Sequence, residues 1–169
     1  MRRILVIGSP GAGKSTLAAD IARLTGLPLI HLDQHYWRSG WTEPRQEDWL
    51  DKVRQLIAGD RWIMDGNYGG SLRLRLSRAD TVVHLDLPAW LCVTRILRRI
   101  VGSWRKVRPD MAEGCPEQFR AEFILYAATF RIHRRERVMR MLDGFTGRII
   151  PLKSAAEVRS FLASLDHSG

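Results

Sequence analysis

A chain of 169 residues, 45% of them hydrophobic, has the length of one domain and enough apolar material for a full core, which excludes a second large module. Met1-Arg2-Arg3 leads into the chain without a signal-like apolar leader, and no uncharged apolar run is long enough to span a bilayer, so a soluble, cytosolic protein without membrane partners is expected. Cys92 and Cys115 are too few for a disulfide framework or a zinc site and read as free thiols.

In chain order, Ile4-Leu5-Val6-Ile7 predicts a buried strand. Gly8-Ser9-Pro10-Gly11-Ala12-Gly13-Lys14-Ser15-Thr16 follows and matches the phosphate-loop pattern G-x-x-x-x-G-K-[ST] at every fixed position. Gly8, Gly11 and Gly13 permit backbone angles and approaches that a Cβ would block, so consecutive amides can turn inward around a phosphate. Lys14 would bring positive charge to the β and γ phosphates of ATP, and the Ser15 hydroxyl would join the shell of a Mg²⁺ ion. A helix starting near Lys14 adds the positive end of its dipole.

Leu17, Ile21 and Leu24 mark the buried face of that helix, which Gly26 and Pro28 end. Residues 29–32 predict a second strand that delivers Asp33, His35, Tyr36 and Trp37 to a loop. Pro44 opens a helix carrying Trp49, Leu50, Val53, Leu56 and Ile57 at helical spacing. Trp62-Ile63-Met64 is a third strand, ending in the glycine-rich turn Asp65-Gly66-Asn67-Tyr68-Gly69-Gly70. Residues 81–85 are a fourth, ending at Asp86 and stopped by Pro88. Residues 90–101 read as helix; from Gly102 to Pro116 the periodicity fails, and so long a gap suggests a functional lid. Phe119, Phe123, Tyr126, Phe130 and Val138 predict one long helix. Residues 148–150 form a fifth strand, and Ser154-x-x-Glu157 is a capping box for a last helix. The alternation predicts a three-layer α/β fold around a parallel sheet, in one domain spanning 1–169.

Asp65 and Asp86 both end apolar strands and compete for the carboxylate on the Mg²⁺ shell. Asp65 is preferred, because Gly66 permits close backbone approach and the turn after it leaves space for a second substrate; Asp86 reads as a cap for the next helix. Asp33, at a strand's C-terminal end, would orient an acceptor hydroxyl or take its proton. Arg38, Gly66 and Asn67 are further candidates for holding that acceptor. His31 and His35 read as pocket or packing residues, and Trp37 and Trp41 as packed wall, with stacking on a planar acceptor as the alternative. Thirteen Lys/Arg against six Asp/Glu between Arg95 and Arg148 concentrate +7 of the formal +9 charge in one third of the chain. Arg95 and Arg99 share a helical face before the lid; Arg131, Arg134 and Arg135 lie beyond it. The two groups would close on a transferring phosphate.

Five stretches together resemble the DNA topology modulation proteins of the FlaR type, adenylate-kinase-like members of the P-loop kinases: residues 8–16, His31-Leu32-Asp33, residues 62–70, Leu85-Asp86-Leu87-Pro88 with Arg95, and Arg108-Pro109-Asp110-Met111-Ala112-Glu113-Gly114-Cys115-Pro116. The resemblance covers nearly the whole chain. It implies a P-loop NTPase sheet in the order 2-3-1-4-5, an acceptor region near residues 31–60, an arginine-bearing lid near 102–118, and ATP with Mg²⁺ as cofactors. It matches Asp65-Gly66 to the Asp-Gly ending strand three of adenylate kinases, and Arg95 with Arg99 to the paired arginines entering their lid. His31-Leu32-Asp33 resembles the strand-two acceptor site of shikimate-type kinases, and residues 151–154 fall where such kinases contact adenine. The implied function is transfer of the ATP γ-phosphate to a small molecule, with nucleosides and nucleotides as the first acceptor class. The alternative, suggested by the family label and the basic helices, is nucleotide-gated binding of DNA with weak ATPase activity.

Overall fold

The computed structural model describes residues 1–166. Strand β1 (Arg3–Gly8) enters the phosphate loop and helix α1 (Lys14–Thr25); β2 (Leu29–His31) is followed by α2 (Leu32–Tyr36) and α3 (Gln46–Leu56). Then come β3 (Trp62–Asp65), α4 (Gly69–Leu76), β4 (Thr81–Leu85), α5 (Ala89–Gly102), α6 (Ala121–His133), α7 (Arg135–Leu142), β5 (Arg148–Leu152) and α8 (Ala155–Asp166). The five strands form one parallel sheet in the order β2-β3-β1-β4-β5, as expected.

The central strands are continuous apolar runs because helices cover both faces of the sheet. Side-chain alternation sorts them: Ile4, Val6, Ile63, Val83 and Leu85 pack with Leu17, Ala18 and Ile21 of α1 on one face. Leu5, Ile7, Met64 and Val82 pack with Trp49 and Val53 of α3, Leu72 of α4 and Leu142 of α7 on the other. All five strands point their C-terminal ends to one edge. Because β1 lies between β3 and β4, the loops leaving it open a crevice there.

Four local expectations are corrected. Leu32 is not the last residue of a strand; it starts α2, so Asp33 to Tyr36 are helical rather than loop. Leu32 is fully buried and Tyr36, one turn on, packs on the same core, which pulls the segment into a turn of helix. The turn after Asp65 ends sooner than expected, because α4 begins at Gly69. Its buried face is Ser71, Leu72, Arg75 and Leu76, half of it polar, so hydrophobic spacing did not announce it. The long helix after the lid is two helices, broken at Arg134. The break lets Ile124 and Ala127 of α6 dock on α5 while Val138 and Leu142 of α7 reach the sheet. Finally, Asp86 caps no helix: α5 has Pro88 at its N-cap, and the Asp86 carboxylate takes Arg131 and Arg135 instead. The Ser154 hydroxyl accepts the Glu157 amide as expected, while the Glu157 carboxylate takes the Lys153 amide instead of that of Ser154.

The lid segment is tied down along its length. The Arg105 amide donates to the Glu117 carbonyl and the Glu117 amide to the Lys106 carbonyl, and Met111, Ala112 and Cys115 are buried against Trp37 and Trp41. The Cys115 thiol donates to the Arg38 carbonyl, and the Gly40 amide donates to the Gly114 carbonyl. Trp37 and Trp41 are thus packed wall, set against residues 111–115 of this segment.

Candidate active site

A cleft of ≈ 1630 Å³ runs along the C-terminal edge of the sheet, with the phosphate loop at its centre. Gly8, Gly11 and Gly13 hold φ of +144°, +77° and +95°, conformations that side chains disfavour. A Cβ on Gly11 would also lie 2.8 Å from Ile96 Cγ1, so the loop is pressed directly onto α5. The first intrahelical bond of α1 joins the Leu17 amide to the Gly13 carbonyl. The amides of Lys14, Ser15 and Thr16 therefore have no acceptor within the helix and remain available to an anion.

Lys14 Nζ spans this cradle, donating to the carbonyls of Gly8 and Ser9, both at 3.1 Å. Burial holds its pKa below the usual lysine value, an effect opposed by the nearby charges of Asp33 and Asp65. Arg95 Nη1 donates to the Ala12 carbonyl at 2.9 Å, bracing the loop from α5. Asn67 braces it from the other side: its Oδ1 accepts the Gly8 amide at 3.1 Å.

Asp65 ends β3 beside the loop and is 5% exposed. Its Oδ1 lies 2.7 Å from His31 Nδ1, and that hydrogen bond raises the histidine pKa. Asp33, in the first turn of α2, accepts the Tyr68 hydroxyl. Burial pushes its carboxyl pKa upward, partly countered by that hydrogen bond. Lys14, His31, Asp33, Asp65, Gly66, Asn67, Tyr68, Arg95 and Arg99 all line the one cleft.

Two candidates are elsewhere. Arg38 is mostly exposed and points to Asp48 at 3.6 Å, away from the cleft. Arg131 gives its Nε to Asp86 at 3.3 Å, beside Arg135 Nε at 2.9 Å, so the pair beyond the lid neutralises a buried carboxylate. Arg99 turns toward the lid, where its Nε lies 3.1 Å from Glu117 and that of Arg108 lies 2.9 Å from the same carboxylate. Asp110 holds Arg108 as well, at 2.8 Å.

Sequence reasoning missed Arg75. Its guanidinium is wholly buried and donates to three successive carbonyls, Gly66, Asn67 and Tyr68, fastening the turn that carries Asp65. An arginine in a short leucine-rich stretch gives no local sign of this. Tyr68, whose φ of +32° aims its ring back over α2, was also unassigned.

Comparisons with known proteins agree with this architecture. No protein-family model matches the chain. The shikimate kinase of Bacteroides thetaiotaomicron superposes with a TM-score of 0.60 at 18% identity, covering 99% of this chain and 97% of that one. The shikimate kinase of Acinetobacter baumannii, solved with shikimate, gives 0.61 at 18% identity, covering 98% and 90%. This chain has the shikimate kinase fold. A putative kinase from Chloroflexus aurantiacus shares that fold at a TM-score of 0.57 and 14% identity, over 97% and 96% of the two chains. In sequence, the uncharacterized protein YqaC of Bacillus subtilis (strain 168) is 30% identical over 105 residues. The match covers 58% of this chain and spans just over half, 56%, of that relative. Among the described residues no helix is long and apolar enough to cross a membrane.

Proposed function

We propose that this protein is an ATP- and Mg²⁺-dependent kinase that transfers the γ-phosphate to a hydroxyl of a small molecule. One observation carries the reading: the phosphate cradle, Lys14, and two carboxylates of different environment, the half-buried Asp33 and the buried Asp65, converge on a single cleft. Phosphoryl transfer asks a protein chiefly to position reactants and neutralise charge. The open amides of α1 and Lys14 would bind the triphosphate, and Arg95 would keep the loop in register. Ser15 and Asp65 would hold Mg²⁺, which supplies charge neutralisation between the phosphates. No group of three or more His, Cys, Asp or Glu is clustered for metal among the described residues. That suits Mg²⁺, which takes one or two protein ligands and fills its shell with phosphate oxygens and water. Asp33, its pKa raised by burial, is suited to accept the proton of the attacking hydroxyl, with Tyr68 fixing its orientation.

For the acceptor, nucleosides precede nucleotides. Tyr36, Trp37 and Tyr68 line that end of the cleft, and Arg108 there is already held by Asp110 and Glu117 rather than left to receive a second phosphate. The same pairing bears on DNA. Arg99, Arg108, Arg131 and Arg135 face buried carboxylates, so part of the positive surplus is consumed inside the molecule, which favours the kinase over the DNA-binding alternative. Assignment to the adenylate-kinase-like, FlaR-type group belongs to this proposal and rests on the motifs of residues 62–70 and 108–116.

The test is ATP consumption by purified protein across nucleosides, nucleoside monophosphates and small hydroxylated metabolites. One acceptor should stimulate turnover, and Lys14→Ala should reduce it by about 10³-fold or more while leaving the fold intact. Unchanged turnover in the folded variant refutes the mechanism.

A further inference from the structure

Helix α5 is oriented unusually for a surface helix. It sends Arg95 and Arg99 inward, to the phosphate loop and the lid, and leaves a stripe of large apolar side chains facing outward. Trp90, Leu97 and Val101 are 68%, 41% and 83% exposed. At 100° per residue these three fall within about 40° of one another on the helix, a single line two to three turns long.

Helix α6 repeats the pattern. Leu125 and Ile132, 65% and 73% exposed, fall on one face of it. The two helices pack through Val93, Ile96 and Ile100 against Ile124 and Ala127. They are antiparallel: Arg99, near the end of α5, lies over Phe123 at the start of α6, while Arg131, near the end of α6, reaches Asp86 just before α5. The exposed stripe is rotated in the same sense from the mutual contact in both helices, by about 90° on α5 and about 120° on α6. For antiparallel helices that places both stripes on the same side of the pair. The result is one continuous apolar plate, two helices wide, with no charged residue in either stripe.

We propose that this plate is the interface of a homodimer, in which the α5 and α6 pairs of two copies meet as an antiparallel four-helix bundle. Size supports the occupant. The five side chains expose on the order of 500 Å² of apolar surface. A standard interface removes about 800 Å² per partner, a little over half of it apolar, so the plate supplies the apolar core of one half and leaves a polar rim to complete it. Self-complementarity supports it as well. A plate without charges meets its own copy without burying an unpaired ion, which it could not avoid against an ionic partner surface. Exposed Arg98 and Glu122 flank the plate on opposite edges. A two-fold axis along the helices lays α5 of each copy over α6 of the other, with these opposite charges meeting at the rim. The interface meets the cleft only at Glu122; Arg95 and Arg99 of α5 and Phe123, Tyr126 and Phe130 of α6, which line it, lie on other faces of the two helices.

The experiment is light scattering on the full chain during size exclusion, from about 1 to 100 μM, alongside Val101→Glu and Ile132→Glu. Both positions are too exposed for substitution to disturb the core, and circular dichroism checks this. The wild type should have twice the 19.4 kDa mass of the chain. Each variant should weaken association at least about 30-fold, the effect of burying a charge in the apolar part of an interface. A wild type that stays monomeric at the highest concentration overturns the proposal, as does a dimer indifferent to both substitutions. Co-sedimentation of a monomeric wild type with phosphatidylserine vesicles, lost in the variants, also overturns it and reassigns the plate to lipid.

Discussion

Replacing Arg75 with methionine removes the one side chain that fastens the turn carrying Asp65 and Asn67. The guanidinium is fully buried, has no carboxylate partner among the described residues, and donates to the carbonyls of Gly66, Asn67 and Tyr68. Burial lowers its pKa, with Tyr68 and Asp65 acting in the opposite direction. Methionine fills similar space without donors, so the Gly66 and Asn67 carbonyls lose the guanidinium, while that of Tyr68 keeps the Ser71 amide and hydroxyl. A charged hydrogen bond contributes about 1.5–3 kcal/mol and an orphaned buried acceptor costs about 1–3 kcal/mol. These contributions are not additive, since a loosened turn can admit water. About 4 kcal/mol is the expected net loss, within the range for breaking a buried polar network. In a chain of this size that corresponds to a fall in Tm of about 8–16 °C. Urea unfolding and thermal melts at neutral pH measure both. Arg75→Lys, which keeps the charge but reaches fewer carbonyls, should recover part of the loss. A methionine variant within about 1 kcal/mol of the wild type refutes the assignment of Arg75 as the anchor of this turn.

Three further outcomes follow from the site. Tyr68→Phe removes the hydrogen bond that favours ionised Asp33, so the acid limb of the kcat/KM profile should move to higher pH; an unmoved limb excludes Asp33 as the base. His31 has a folded-state pKa raised by Asp65, so its contribution to stability is fully present below the ordinary histidine value and is lost as pH rises through the raised one. The stability difference between wild type and His31→Gln should therefore shrink over that window, and a difference that is flat with pH contradicts the pairing. Cys115, in the lid segment, is buried against Trp41, so Trp41→Ala should speed its reaction with a thiol reagent by about 10-fold or more, while Cys92, on the buried face of α5, serves as the unreactive internal reference. Equal rates in both proteins indicate that the tryptophan does not hold the lid.

What the chain made legible was whatever is encoded over a few consecutive residues. The phosphate loop needs three glycines, a lysine and a hydroxyl within nine positions, and its geometry follows wherever that stretch sits between a strand and a helix. The strands were equally plain, because a parallel sheet covered on both faces requires unbroken apolar runs. The sheet order came from the resemblance of the motifs and agrees with the structure. Asp65 closes β3 and Asp33 follows the end of β2 by two residues, so the strand ends bring both to the same edge.

Side-chain partners were decided by tertiary packing. Asp33 meets a tyrosine 35 positions away, Asp86 an arginine 49 away, and Gly8 an asparagine 59 away. Spacing along one helix shows that Arg131 and Arg135 share a face, but not that the face meets a buried carboxylate. Arg38 looked like a substrate ligand by its nearness to Asp33 and instead points outward, because the hairpin-like bridge to Thr42 turns the chain there. Helix α4 stayed hidden for a related reason. Half of its buried face is polar, and a buried arginine becomes tolerable only when the fold brings three carbonyls to it. Local sequence determines which backbone shapes are available; which charges are neutralised, and by whom, is settled only when distant elements pack together.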